Sequence, residues 1–157
     1  MTLYDVFDRL ELTFVGQTMA DSIWLFPVVE AVHLLGLAGL GGAVLVVDLR
    51  LLGLAFPDRE ARYLLAESRP WFLGAIATLF ATGIPLFLSE AVKCYWSQAF
   101  WVKMGALALA LLFTWSVRNR RIRDSRELGV GRARLLGGSS IALWTTVAAA
   151  GRWIGFS

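Results

Sequence analysis

An acid and an imidazole stand one helical turn apart inside the first long apolar run of the chain. The stretch PVVEAVHLLGLAGLGG, residues 27 to 42, contains Glu30 and His33, and His33 is the only histidine of the sequence. Residues three apart on a helix point to nearly the same side. Lys103 and Arg152 also lie inside apolar runs. A charged group at mid-membrane costs at least ~2.5 to 3.5 kcal/mol on insertion scales, so four ionisable groups at similar depth indicate a shared site.

The number of available ligands limits the chemistry. Di-iron sites in helical bundles take carboxylates from four helices and a second Glu-x-x-His pair, and the sequence has no second histidine. A closed zinc site lacks ligands for the same reason, and no Ser, His and Asp arrangement can be assembled outside the basic loops. Copper passage needs several Met, Cys or His residues along a path, whereas Met19 and Met104 are isolated. Haem fits better, because one neutral imidazole can hold its iron while two cations pair with its propionates.

We therefore expect a haem b site with a role for each buried ionisable group. His33 is the expected axial ligand, Lys103 and Arg152 meet the propionates, and Glu30 orients a cation or accepts a proton during redox change. Glycines along the same helix would let the macrocycle or a neighbouring helix come close: Gly36, Gly39, Gly41 and Gly42. Plain helix packing without a cofactor explains these glycines equally well.

Three other interpretations of the polar layer stay open. In the first, Lys103 and Arg152 only extend to the membrane interface, with Glu30 as a structural counter-ion. In the second, the protein binds no cofactor and is an accessory subunit or scaffold of a larger membrane complex. In the third, His33 and Glu30 are relay groups of a proton or small-ion pathway. The colour of the purified protein separates haem from the other interpretations.

The elements that must position these residues are transmembrane helices. Hydrophobic residues make up 57% of the chain and charged residues 17%, and the mean hydropathy is +0.63, which is typical of membrane proteins. Crossing a bilayer takes about 20 apolar residues. Four segments are long enough, at about 24–47, 70–88, 99–117 and 138–156. The expected fold is one all-α domain over residues 1–157, an integral membrane bundle of four transmembrane helices.

The segment before the first span has the pattern of an amphipathic helix, at about 3–18. Its charged positions include Asp5, Asp8 and Glu11, where a cleaved signal would need positive residues. Apolar residues recur at helical spacing: Leu3, Phe7, Leu10 and Phe14. We expect this helix to lie on the membrane surface. The alternative is a short soluble helix packed on the end of the bundle.

Positive charges predict the orientation of the bundle. Four arginines flank the first connection: Arg50, Arg59, Arg62 and Arg69. Seven crowd the third connection: Arg118, Arg120, Arg121, Arg123, Arg126, Arg132 and Arg134. The opposite side has only Arg9 and Lys93, so both basic connections are expected in the cytoplasm and both termini in the periplasm. Because the basic run lies at a bilayer end and the net charge is only +3, we expect lipid contact and no nucleic acid partner.

Depth then places the four ionisable groups in one layer. If the first helix enters from outside at about Trp24, Glu30 is roughly 9 Å deep and His33 roughly 14 Å deep. Lys103 lies about five residues into the third span, and Arg152 about five residues from the end of the fourth, in the same outer half. The lone Cys94 allows no disulfide within the chain, so only an intermolecular bridge is open to it.

Segments of the chain also resemble known membrane proteins. The run WLFPVVEAVHLLGLAGLGGAVLVVDLRLLG resembles the first span of a family of small uncharacterised bacterial four-helix membrane proteins. More distantly, it resembles the haem-b-containing membrane protoporphyrinogen oxidases and the copper-resistance D-type membrane proteins. The oxidases have a first-helix histidine, a Gly-rich tract and an arginine, similar to His33, Gly42 and Arg50 here. Their third helix opens with a Trp shortly before a Lys, similar to Trp101 and Lys103 in FWVKMGALALALLFTW.

The resemblance implies haem b and a place in a bacterial inner membrane. The chain has FTW at 113 to 115 where the oxidases usually have a further histidine about eleven residues after the lysine. The implied function is therefore electron transfer, as a redox subunit or a haem-dependent membrane oxidoreductase, and not specifically the oxidase reaction. The expected partners are a second copy of the chain or a larger membrane complex.

Overall fold

The structure is a computed structural model that describes residues 2–124 and 128–154. All the regular secondary structure in these residues is helical, which confirms the expected all-α class. The helices are α1 Leu3–Glu11, α2 Phe14–Asp21, α3 Leu25–Leu52, α4 Ala61–Ser89, α5 Ala91–Trp96, α6 Gln98–Leu112, α7 Asn119–Asp124 and α8 Val130–Ile154. A π-helical turn, Phe113–Arg118, joins α6 to α7 without a break. Phe156, at the end of the fourth expected span, lies outside the described residues.

Three helices of the described chain are long and apolar enough to cross a membrane: α3, α4 and the continuous helix Gln98–Asp124. Most of their residues point away from the protein interior, and many of these are large and apolar, such as Leu35, Leu109 and Leu112. An outward apolar surface of this extent is stable in lipid rather than in water. α8 is nearly as long, at 25 residues, and carries three arginines: Arg132, Arg134 and Arg152.

The long helices pack around a shared interior. α3 packs against both α4 and α8, and α6 packs against α8. Aromatic rings join α4 to the next long helix, with Phe87 stacked on Phe100 of α6 at 5.4 Å between centroids and Phe72 against Trp115 of the π-helical turn at 5.8 Å. Bulky rings hold helix backbones further apart than small residues do. The α4–α6 side is therefore the more loosely closed side of the bundle.

Short helices cover one end of the bundle, here called the capped end and formed by α1, α2 and α5. The single helix predicted at about 3–18 is in fact two helices. Thr13 is the reason, because its side chain accepts a hydrogen bond from the Gly16 backbone N–H and starts a new helix. Phe7 is buried among the rings of the α4 and α5 region, including Phe87 and Tyr95. The Glu11 carboxylate accepts a hydrogen bond of 2.7 Å from the Val92 backbone N–H at the start of α5.

The opposite end, here called the arginine end, contains α7 and the two basic connections. Gly53 ends α3 with a left-handed φ of 77°, as expected for a residue that follows a helix C-terminus. Arg62 of α4 donates a 2.6 Å hydrogen bond to the carbonyl of Arg123 in α7. Some of the arginines that indicate orientation therefore also fasten helix ends to one another. Arg126 lies outside the described residues.

Two groups of apolar side chains fill the interior. The central cluster lies midway along the long helices and includes Leu40, Val44, Phe72, Ala106, Ala110, Trp144 and Val147. The end cluster lies at the arginine end and consists of Val47, Leu51, Leu64 and Ile122. Polar side chains lie on either side of the central cluster, and these are the candidates for function.

Candidate functional site

A hydrogen-bond chain fixes the state of the only imidazole. His33 Nδ1 lies 2.8 Å from Thr82 Oγ1 of α4, and Thr82 Oγ1 lies 2.7 Å from the carbonyl oxygen of Thr78. A carbonyl can only accept, so the single hydroxyl proton of Thr82 is donated to Thr78. Thr82 can then only accept from His33, which makes Nδ1 the protonated ring nitrogen. Nε2 of the neutral ring therefore carries a lone pair.

A glycine and a lysine are among the described neighbours of the ring. A Cβ atom added to Gly83 would lie 3.2 Å from His33 Cε1, so the imidazole packs directly against α4 at this glycine. The Lys103 side chain runs along Gly151 of α8, where an added Cβ would be 3.5 Å from Nζ. The Lys103 ammonium is close enough to act electrostatically on the His33 ring. Helices α3, α4, α6 and α8 thus bring an imidazole and an ammonium into one half-buried region.

The other three predicted site residues are two exposed charged residues and a glycine at a helix contact. Glu30 is exposed, and among the described residues no hydrogen bond or ion pair joins it to His33 or Lys103. Arg152 follows Gly151 on α8 and its side chain is also exposed. Gly36 is buried at the α3–α4 contact. A Cβ added to Gly36 would lie 3.2 Å from Thr78 Cγ2, so this glycine allows helix α4 to lie close to α3.

This arrangement can bind a metal centre through one nitrogen. The described residues contain no group of three or more His, Cys, Asp or Glu side chains that could hold a bare metal ion. A haem brings four ring nitrogens of its own and needs only an axial ligand from the protein. An imidazole whose other nitrogen donates to a fixed acceptor is the usual form of a metal-binding histidine. The donor set fits haem, and room for a macrocycle would have to come from the ring-packed α4–α6 side.

Sequence reasoning missed a second polar group at the other side of the central cluster. Asp48 of α3 and Arg118 of the π-helical turn form an ion pair, with Arg118 Nε 2.7 Å from Asp48 Oδ1. The two side chains are only 0% and 2% exposed. Arg118 Nη2 also donates to the Val44 carbonyl at 3.3 Å. The Ser140 hydroxyl of α8 faces the Asp48 carboxylate, and we call Asp48, Arg118 and Ser140 the ion-pair cluster.

Local backbone geometry explains how these groups meet. α8 approaches α3 so closely at Gly137 that an added Cβ would be 2.9 Å from the Asp48 carbonyl oxygen. The π-helical turn changes the rotation of the helix that follows, and such turns are frequent at functional sites. Arg118 was expected among the charges of the third connection but is buried in the bundle. One feature of the sequence could have indicated this pair: Asp48 is an acidic residue that directly follows the first long apolar run.

Comparison with known proteins gives a family but no characterised relative. No curated protein and no solved structure matches the chain. The likeness to haem-b-containing oxidases and copper-resistance proteins therefore remains a prediction from the sequence. The expectation of an uncharacterised family agrees with the family model, which matches residues 5–157. The chain belongs to DUF6644, a family of unknown function.

Proposed function

We propose that the chain is an integral membrane protein that binds haem b near its capped end and transfers electrons. The observation that carries the proposal is the hydrogen-bond chain from His33 through Thr82 to Thr78. It leaves an unprotonated Nε2 on the only imidazole, with the Lys103 ammonium nearby. An axial nitrogen and a cation for a propionate are the two protein contacts that such a site needs first.

Each residue has a defined task in this proposal. His33 Nε2 holds the iron, and Thr82 keeps the ring in the tautomer and orientation that allow it. Lys103 pairs with one propionate, and Arg152, one residue beyond the glycine that Lys103 contacts, pairs with the other. Glu30 balances one of these cations. When bound, the haem supplies one-electron chemistry, and the apolar central cluster keeps water from reaching it through the bundle.

The same central cluster favours a closed site over an ion pathway. On α3, on α8 and on the continuous helix Gln98–Asp124, the side chains change from polar to apolar with distance from the capped end, and the ion-pair cluster lies beyond the apolar ones. On α3, for example, Leu40 and Val44 lie between His33 and Asp48, and both are only 2% exposed. A proton relay needs continuous polar groups or water. The apolar central cluster interrupts such a path for ions, and a site that exchanges electrons needs no such path.

The proposed topology has four spans, α8 being the fourth, in a bacterial inner membrane. The arginine end faces the cytoplasm by the positive-inside rule, and the capped end with both termini faces the periplasm. The partners are lipid and either a second copy of the chain or a larger membrane complex. Reporter fusions after Ser157 should be active only when the reporter works in the periplasm. Activity of a cytoplasm-specific reporter there would reverse the orientation.

The deciding experiment is the optical spectrum of the purified protein from haem-replete cells. We expect a Soret band and an α band, and we expect His33→Ala to abolish or strongly alter both while the helices still insert. Thr78→Val is a matched control, because its hydroxyl donates to the Gly74 carbonyl and not to the imidazole. Colourless wild-type protein would reject the proposal in favour of a cofactor-free accessory subunit. An unaltered spectrum in His33→Ala would reject His33 as the ligand.

A further inference from the structure

The ion-pair cluster contains buried polar atoms whose hydrogen-bonding capacity the described residues do not satisfy. Arg118 and Ser140 both lie against the Asp48 carboxylate, yet neither the two carboxylate oxygens nor Arg118 Nε nor Ser140 Oγ has a well-directed hydrogen bond to a described protein atom. Arg118 Nε is only 2.7 Å from Asp48 Oδ1, so the contact is ionic while the N–H points elsewhere. More than 90% of buried polar groups in proteins have a partner. Four unsatisfied atoms at one place therefore indicate a bound group.

Apolar side chains enclose this place on both sides. Towards the capped end lies the central cluster, with Leu40 and Val44 on the same helix as Asp48. Towards the arginine end lies the end cluster, in which Leu51 and Ile122 are 5% and 2% exposed. Ser140 itself is fully buried. Whatever binds between the two clusters must be small and is separated from bulk solvent.

The charges of the cluster select the chemical class of the bound group. A cation would satisfy the Asp48 and Ser140 oxygens, but it would meet the Arg118 guanidinium and leave the Nε–H unbonded. An anion would accept from that N–H, but it would meet the Asp48 carboxylate. A neutral molecule that both donates and accepts satisfies all of these atoms at once. We propose that the ion-pair cluster is a water-binding site, closed by the central and end clusters.

The bound water completes the coordination of the ion pair. It donates to a carboxylate oxygen of Asp48, accepts from Arg118 Nε–H and exchanges a hydrogen bond with Ser140 Oγ. Three hydrogen bonds are about what a buried water usually makes. Because each partner comes from a different element, the water connects α3, the π-helical turn and α8. This site lies at the other end of the bundle from His33 and does not depend on the proposed haem function.

Radiolytic hydroxyl-radical footprinting of the purified full-length protein tests the site. X-rays generate radicals from bound water, which oxidise adjacent side chains that bulk solvent does not reach. We expect oxidation of Trp144, one turn from Ser140, and of Leu51, which packs at Gly137 beside the Asp48 carbonyl. The reference is Leu40 in the central cluster, which lies two helical turns from Asp48 and is 2% exposed, against 8% for Trp144 and 5% for Leu51. Each rate is divided by the rate of the same residue in the denatured chain.

Two variants remove the partners of the water. The double variant Asp48→Leu with Arg118→Met replaces the pair by apolar groups of similar volume, a change that proteins often tolerate. It should lower oxidation of Trp144 and Leu51 to the level of Leu40. Ser140→Ala removes one partner of the water and leaves no charge unpaired, so it tests the site even if the double variant does not fold. It should lower the oxidation rates of Trp144 and Leu51 several-fold. Wild-type rates at Trp144 and Leu51 no higher than at Leu40, or rates unchanged in Ser140→Ala, would overturn the proposal.

Discussion

The tautomer of His33 is the most direct consequence of the geometry at the capped end. Thr82 can only accept from the imidazole, because its own proton is donated to Thr78 at 2.7 Å. In the haem-free protein we therefore predict a proton on Nδ1 and a lone pair on Nε2. Thr82→Val keeps the shape of the side chain and removes the acceptor. The ring should then lose its fixed tautomer, and a mixture of the two neutral forms should appear.

The size of the effect on stability follows from the burial of the bond. The ring is half-buried, and the 2.8 Å contact is a bond between two neutral groups. Leaving a buried donor without a partner costs about 1 to 3 kcal/mol. At about 1.4 kcal/mol per factor of ten, the unfolding equilibrium constant should rise roughly 5- to 140-fold. Thr82→Ser retains the hydroxyl and should restore most of the loss.

Nitrogen-15 NMR of histidine-labelled protein measures the tautomer without ambiguity, because the sequence contains one histidine. The shifts of the two ring nitrogens separate the protonated atom from the unprotonated one. Denaturation in mixed micelles gives the change in stability, and Thr78→Val is the control that leaves the His33–Thr82 bond in place. A protonated Nε2 in the wild type would refute the assignment of donor and acceptor. Equal destabilisation by Thr78→Val and Thr82→Val would refute the special role of Thr82.

Three further predictions concern the same end of the molecule. Lys103→Met should weaken haem retention by about 1.5 to 3 kcal/mol for a lost charge-assisted bond, and full retention in that variant would mean that the lysine only extends to the interface. Gly83→Ala should displace the His33 ring, since the new methyl would lie 3.2 Å from it. Gly74→Ala, which adds a methyl in open space, should leave the histidine NMR signals unchanged, and identical signals in both variants would contradict the contact. Burial raises the pKa of the Cys94 thiol from 9.0 to about 11. The folded protein then binds more protons than the unfolded chain between these values, so stability should fall as pH rises through them, and a flat denaturation profile from pH 9 to 11 would contradict this.

The sequence predicts well what depends on composition and on short-range pattern. Long apolar runs indicated membrane helices, because a helix that is apolar on all sides lies either in a membrane or in the core of a large protein, and this sequence has 157 residues. The stripe of Leu3 and Phe7 indicated the helical N-terminal segment. Its break was also readable, since Thr13 is a favourable N-cap residue three positions before Gly16. Equal depth along the first and third spans, which run in the same direction, predicted His33 and Lys103 in one layer.

What the sequence does not predict depends on the rotation of each helix about its axis. Thr82 is unremarkable in an apolar span, and its importance comes only from facing the imidazole across the α3–α4 contact. Asp48 and Arg118 are far apart in the chain, so nothing local indicates that they form a pair. The π-helical turn that carries Arg118 has no pattern in FTWSVR that distinguishes it from ordinary helix. The depth of a residue in the membrane likewise does not give the direction of its side chain. Glu30 faces outward, whereas His33, one turn later, faces α4.

The bond between Glu11 and Val92 has a consequence for biosynthesis. The two residues are 81 positions apart, and α1 packs against α5. α1 and α2 are synthesised before α4 and α5, so the surface that buries Phe7 exists only after these later helices have been made. At about 5 to 20 residues per second, the wait for these 81 residues is roughly 4 to 16 s. During that time the apolar side of α1 is without its partner, so factors that shield nascent membrane proteins would act on this helix.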